Sequence, residues 1–201
     1  AYSEKLGYLT HCPTNVGTGM RASVMMFLPA LTMGRQIRAL QAQLSKLGLT
    51  IRGASGEGSR SEGYLYQISN QVTLGVSEEE TLEKLSAVID KISSEERNLR
   101  EKLKTNAPIK LKDSARRALG VLLYAEILDS NELFELYSTL RLGVSLGYVD
   151  GIEYRTLDCL LIEGMPATVS INGGGKCTEN AQERDMYRAS LAREILSGKK
   201  S

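Results

Sequence analysis

The 201-residue sequence predicts an α/β half followed by a small all-helical domain. Three observations carry this prediction. Short apolar runs alternate with one helical stretch as far as residue 69, as in a sheet covered by helices on a face. A long amphipathic pattern then opens at Ser77. Beyond Thr105-Asn106-Ala107-Pro108, which has the look of a linker, every pattern is helical.

Residues 7–10 (Gly-Tyr-Leu-Thr) predict a short strand running into a loop that begins at Cys12. Residues 21–28 (Arg-Ala-Ser-Val-Met-Met-Phe-Leu) predict a mostly apolar strand ended by Pro29. Ala30 to Leu47 predicts one helix from the spacing of Leu31, Ile37, Leu40 and Leu44, closed by Gly48. Leu49-Thr50-Ile51 is a strand that delivers Arg52 to a second Gly-rich loop, and residues 64–69 alternate as a strand does.

Ser77-Glu78-Glu79-Glu80 has the spacing of a capping box, and the helix it opens runs to about Lys104. Leu82, Leu85, Ile89, Ile92, Leu99 and Leu103 keep a three-to-four spacing broken only by Glu96. A seam packed on the sheet explains that stripe most simply, with a partner-binding coiled coil as the alternative. The boundary is expected near residue 105, giving domains 1–105 and 106–201. The second contains helices at roughly 112–127, 130–145, 153–162 and 179–197, with an irregular loop from Pro166 to Gly175.

Composition removes several classes of function. A formal net charge of +1 lacks the basic excess of a nucleic-acid binder. No apolar run approaches the ~20 residues that span a bilayer, and no signal-peptide pattern opens the chain. Cys12, Cys159 and Cys177 lack metal-ligand spacing and read as cytosolic thiols, so a cytoplasmic location is expected. His11 is the only histidine, which excludes a multi-histidine metal site or a histidine-centred triad within these residues.

The chemistry gathers between Cys12 and Glu57. Gly17 and Gly19 let the backbone approach a ligand closely, while Arg21 and Arg52 each present a planar fork suited to phosphate oxygens. Neither loop is a Walker A motif and no Gly-x-Gly-x-x-Gly follows a strand, so phosphate would be held mostly by arginine. A pair of surface turns with ordinary salt bridges accounts equally well for these residue types. Glu57 in Gly-Glu-Gly reads as a solvated carboxylate or a site carboxylate. Cys12 before proline reads as a buried small hydrophobe or a reactive thiol.

The order of three segments distinguishes these readings. Cys-Pro-Thr-Asn-x-Gly-Thr-x-x-Arg-Ala-Ser-Val (Cys12–Val24), Arg-Gly-x-x-Gly-Glu (Arg52–Glu57) and Ile-Ser-Asn-x-x-x-Leu-Gly (Ile68–Gly75) resemble the ATP:guanido phosphotransferases, or phosphagen kinases. Thr-Asn-Val-Gly-Thr-Gly-Met-Arg, the third segment, and Arg184-Asp185-Met186-Tyr187-Arg188-Ala189 in the helical part are similar to the branch that phosphorylates arginine side chains of proteins. The resemblance implies an α+β fold: part of the phosphagen-kinase antiparallel sheet flanked by helices, then a small all-helical domain.

It further implies that Arg21, Ala22, Ser23, Val24 and Met25, with Arg52, Gly53, Ala54, Ser55, Gly56 and Glu57, contact ATP. Glu57 would be one of two catalytic carboxylates and Cys12 the thiol beside the guanidinium, with Mg²⁺ accompanying ATP. Ser55 departs from the arginine of small-molecule guanidino kinases and from the aromatic usual in protein arginine kinases. The family's catalytic domain begins well upstream of Ala1, so the chain is expected to be a C-terminal portion, inactive alone, whose second catalytic glutamate lies elsewhere.

Arg184 and Arg188 share a helix face, with Asp185 at its edge. By composition this is a solvated face of paired charges. By resemblance it is a phosphoarginine pocket. The implied partners are proteins with exposed arginine, an activator protein, a Clp-type protease and further copies of the chain, with neither nucleic acid nor membrane. Two alternatives accompany the kinase reading. One is a phosphoarginine-binding adaptor module. The other, a kinase of free guanidino compounds, is disfavoured by the appended helical domain.

Overall fold

The computed structural model describes residues 2–8, 12, 15–53, 62–174 and 180–198. The chain divides into two compact units, residues 1–100 and 101–201.

The first unit opens on a hairpin of β1 (Tyr2–Ser3) and β2 (Gly7–Tyr8), whose tyrosine rings meet edge to face at 5.2 Å. Three strands follow: β3 (Ser23–Phe27), β4 (Leu49–Gly53) and β5 (Leu65–Asn70). They form an antiparallel sheet with β5 in the centre. Ser69 pairs with Ser23 on one side and Thr50 on the other, and Gln67 lies between Met25 and Arg52. Opposed residues share a face, so the sheet has two unlike sides. Ile68, Tyr66, Leu49 and Ile51 turn into the core. The other side carries Ser23, Met25, Gln67, Ser69, Thr50 and Arg52.

Helices α1 (Pro29–Met33) and α2 (Ile37–Lys46) lie between β3 and β4. The sequence predicts one helix here, and the structure breaks it at Gly34–Gln36, where Arg35 takes φ +56°. The turn lets Leu31 and Leu44 both reach the core. Helix α3 (Glu78–Asn106) starts as expected: the Ser77 hydroxyl accepts the Glu80 N–H at 3.1 Å, and Glu80 accepts the Ser77 N–H at 2.8 Å. Its buried positions are Thr81, Leu85, Ile92 and Glu96. Glu96 is therefore part of the seam rather than a gap in it. Its carboxylate accepts the N–H groups of Ala30 at 3.0 Å and Leu31 at 2.9 Å at the start of α1, and Arg100 pairs with it at 2.7 Å.

Of the four residues expected to form a linker, only Ala107 lies outside a helix. α3 runs through Asn106 and α4 (Pro108–Tyr124) starts two residues later, with proline at N1, where its missing N–H costs nothing. The second unit continues with α5 (Ser130–Ser145), α6 (Tyr154–Glu163), α7 (Pro166–Asn172) and α8 (Ala181–Leu196). Asp129 caps α5, accepting from Asn131 at 2.8 Å and Glu132 at 3.0 Å. α4 packs on α5, and α8 packs on α4, α6 and α7. Small residues bring these helices close. A Cβ on Gly143 of α5 would lie 2.2 Å from the Ala115 Cβ on α4. The Pro166–Gly175 stretch, expected as a loop, contains α7. Pro166 begins that helix rather than breaking one, and Val169 is fully buried.

Candidate active site

Three backbone segments build a cleft of about 420 Å³ on the polar side of the sheet. It is lined by Asn15, Gly19–Arg21, Thr50, Arg52 and Ser69–Gln71, together with Thr73. Arg21, in the loop that leads into β3, and Arg52, on β4, thus line one cleft from opposite sides of the central strand, with buried Ser69 between them. Arg21 Nη2 donates to Ser69 Oγ at 3.4 Å. Two arginine cations, hydroxyls and amides around an open cleft suit a multiply charged anion.

Hydrogen bonds hold the Arg21 loop against the end of β5. Thr18 N–H donates to the Thr73 carbonyl at 2.9 Å, and the Thr73 hydroxyl donates to the Val16 carbonyl at 2.7 Å. Gly17 makes this approach possible. It has φ +96°, and a Cβ there would lie 1.9 Å from Thr73 O. Asn70 adds a second tie, accepting the Ala22 N–H at 2.8 Å and donating to the Met20 carbonyl at 2.9 Å.

The other sequence-predicted residues divide as follows. Cys12 is exposed, which overturns the buried-hydrophobe reading, and its carbonyl accepts the Asn15 N–H at 3.0 Å. Gly53 ends β4 directly after Arg52. Ala22 is tied to Asn70, whereas Ser23, Val24 and Met25 are exposed along β3 outside the cleft lining. Ala54, Ser55, Gly56 and Glu57 lie outside the described residues, as do His11 and Cys177. Sequence reasoning missed Asn15, Thr50, Ser69, Asn70 and Thr73 as parts of the cleft. Four of them stood inside quoted motifs without a role, and Thr50 belonged to a strand read only as a support.

In the second unit, Asp185 and Arg188 of α8 meet at 2.7 Å. Arg188 is 2 % exposed, which contradicts a fully solvated face. Its Nε donates to the Gly164 carbonyl and its Nη1 to the Leu128 carbonyl, each at 2.8 Å. Arg188 therefore joins the end of α6 and the start of α5 to α8. Asp185 remains partly exposed beside half-buried Arg184. Among the described residues no group of three or more His, Cys, Asp or Glu side chains could hold a metal ion, and no helix is long and apolar enough to cross a membrane.

Residues 1–99 match the ATP:guanido phosphotransferase, C-terminal catalytic domain, and residues 108–201 match the Protein-arginine kinase McsB C-terminal domain. The chain is 48% identical over 197 residues to a protein-arginine kinase of Clostridium kluyveri, covering 98% of this chain and 56% of that protein. It is 43% identical over 198 residues to that of Moorella thermoacetica, again covering 98% and 56%. Over 196 residues it is 43% identical to that of Geobacillus stearothermophilus, covering 98% and 53%. The chain thus spans little more than half the length of these curated relatives.

Proposed function

This chain belongs to the ATP:guanido phosphotransferase family, in its protein-arginine kinase branch, and from that premise we propose that it is part of an enzyme transferring the ATP γ-phosphoryl group to arginine side chains of proteins. The observation that carries this reading is the convergence of Arg21 and Arg52 on one cleft across Ser69. The two forks neutralise phosphate oxygens, and the tied loop keeps Arg21 aligned. Phosphoryl transfer depends mainly on such positioning and charge compensation.

In the proposed reaction a guanidinium nitrogen attacks the γ-phosphorus. The bond to the β-bridging oxygen breaks, and ADP leaves with its electron pair. A guanidinium with a pKa of about 12.5–13.8 is a poor nucleophile, so a carboxylate must orient it and take its proton. Glu57 has that role here by resemblance, with Cys12 beside the acceptor. The described lining of the cleft offers hydroxyl and amide oxygens but no carboxylate. That donor set fits Mg²⁺ arriving on the ATP phosphates and keeping several waters, rather than one held in a protein cage. When bound, the ion would supply further neutralisation of phosphate charge.

The second part of the proposal is phosphoarginine recognition by the helical unit. Asp185 would accept from the guanidine end and Arg184 would meet the phosphoryl end, while Arg188 orients Asp185. Family resemblance supports the remaining parts: client delivery to a Clp-type protease, an activator protein, assembly with further copies and a cytoplasmic setting.

The test compares full-length protein with its Arg21→Ala and Arg52→Ala variants, using a casein-like protein and free arginine as acceptors. Protein phosphorylation that falls at least about tenfold in each variant, with free arginine a poor acceptor, is expected. Undiminished transfer in both variants would overturn the cleft assignment. Calorimetric titration of phosphoarginine against Asp185→Asn and Arg184→Ala tests the second site, and unchanged heats would discard it.

A further inference from the structure

Within the segment Ile68–Gly75, Ser69 offers its hydroxyl to Arg21 and Thr73 ties the Gly17 loop. The Asn70 side chain does something else. Asn70 ends β5 and is 8% exposed. Oδ1 accepts the Ala22 N–H at 2.8 Å, and Nδ2 donates to the carbonyls of Met20 at 2.9 Å and Val72 at 3.3 Å. The Asn70 N–H also donates to the Ala22 carbonyl at 3.3 Å. Met20 and Ala22 are the two chain neighbours of Arg21. One planar amide therefore grips the backbone on both sides of the arginine whose side chain enters the cleft.

The chemistry selects asparagine for this task. The grip needs an acceptor facing an N–H and a donor facing two carbonyls, on one rigid group. Aspartate has the same shape, but would set a carboxylate oxygen against the Met20 and Val72 carbonyls. Serine is too short to span both sides. Arg21 itself is exposed, and its side-chain bond to Ser69 is long at 3.4 Å. The reach of its guanidinium consequently depends on how firmly its backbone is held.

We propose that Asn70 is a positioning residue for nucleotide binding, acting through Arg21 by fixing the peptide groups on either side of it. The proposal rests on the reading of this cleft as the ATP site. Its experiment separates the two. ATP affinity of the full-length protein is measured for wild type, Arg21→Ala, Asn70→Asp, and the double variant, with circular dichroism to confirm folding. Asn70→Ser, which adds no charge, replaces Asn70→Asp if the latter does not fold.

The Asn70 variant is expected to weaken ATP about tenfold in the wild-type background and less than about twofold when Arg21 is already alanine, because coupled residues are non-additive. A residue with a merely structural role would weaken ATP equally in both backgrounds, and that outcome overturns the proposal. An Arg21→Ala protein with wild-type affinity overturns the ATP reading and the proposal with it. Wild-type affinity in the Asn70 variant overturns the proposal alone.

Discussion

Glu96 and Arg100, one helical turn apart on α3, pair at 2.7 Å while each also holds the junction between β3 and α1. Glu96 takes the Ala30 and Leu31 N–H groups. Arg100 donates to the Phe27 carbonyl at 3.0 Å and lies 5.4 Å from the centre of the Phe27 ring. A buried carboxylate is tolerable here because donors surround it, and removing it strands all of them. Glu96→Ala is expected to cost about 2–4 kcal/mol, and Glu96→Gln about half of that, since the amide keeps an acceptor. Chemical denaturation of the two variants checks both the size and the order.

Arg188→Ala should destabilise the helical unit by about 2–4 kcal/mol, because two buried carbonyls and Asp185 lose their donor. Arg184→Ala should leave stability within about 0.5 kcal/mol, as most partly exposed substitutions do. Loss of phosphoarginine binding in Arg188→Ala alone would therefore be ambiguous, whereas Arg184→Ala reads the pocket without unfolding it. Thermal melts of both variants distinguish them.

Gly143→Ala forces a methyl group to within 2.2 Å of the Ala115 Cβ, which belongs to a facing helix and cannot swing away. Overpacking of this kind costs about 1–3 kcal/mol. The companion Ala115→Gly removes the methyl group in the way and should recover part of the loss in the double variant, giving a non-additive cycle by denaturant unfolding.

Burial pushes the Tyr137 phenol up to about 12 from its ordinary 10.0, with Arg141 opposing the rise and Asp158 adding to it. The folded state thus keeps a proton that the unfolded state releases. The stabilisation is fully present below pH 10 and is lost as pH rises towards 12, by roughly 2–3 kcal/mol in all. Tyr137→Phe has no proton to lose, so its stability should fall less than that of wild type between about pH 9 and about pH 11.5. Equal losses in both proteins would show that another group governs the alkaline limit.

Gly17→Ala is expected to weaken nucleotide binding more than it lowers the melting temperature. Its methyl group would collide with the Thr73 carbonyl and part the Arg21 loop from β5, leaving the cores of both units untouched. Parallel ATP titration and thermal melts read the two effects separately.

Local chemistry was enough to establish the capping box at Ser77, the strands around Arg21 and Arg52 and the start of α5, because each depends on residues within a few positions of one another. The three ordered motifs also identified the family. Elements whose cause is distant in sequence were misread. The helix expected over 30–47 breaks because Leu31 and Leu44 answer to a shared core. The stretch after Pro166 is helical because Val169 has a buried place to occupy. Glu96, a blemish in an apolar stripe when read along the chain, caps a helix more than sixty residues earlier. Arg188 likewise changes from a surface charge to a buried tie once Leu128 and Gly164 are beside it. Residue type and spacing determined which chemistry this protein could carry. Only the tertiary structure decided which polar groups face one another, because a charge in water and a charge among buried carbonyls are written with the same letter.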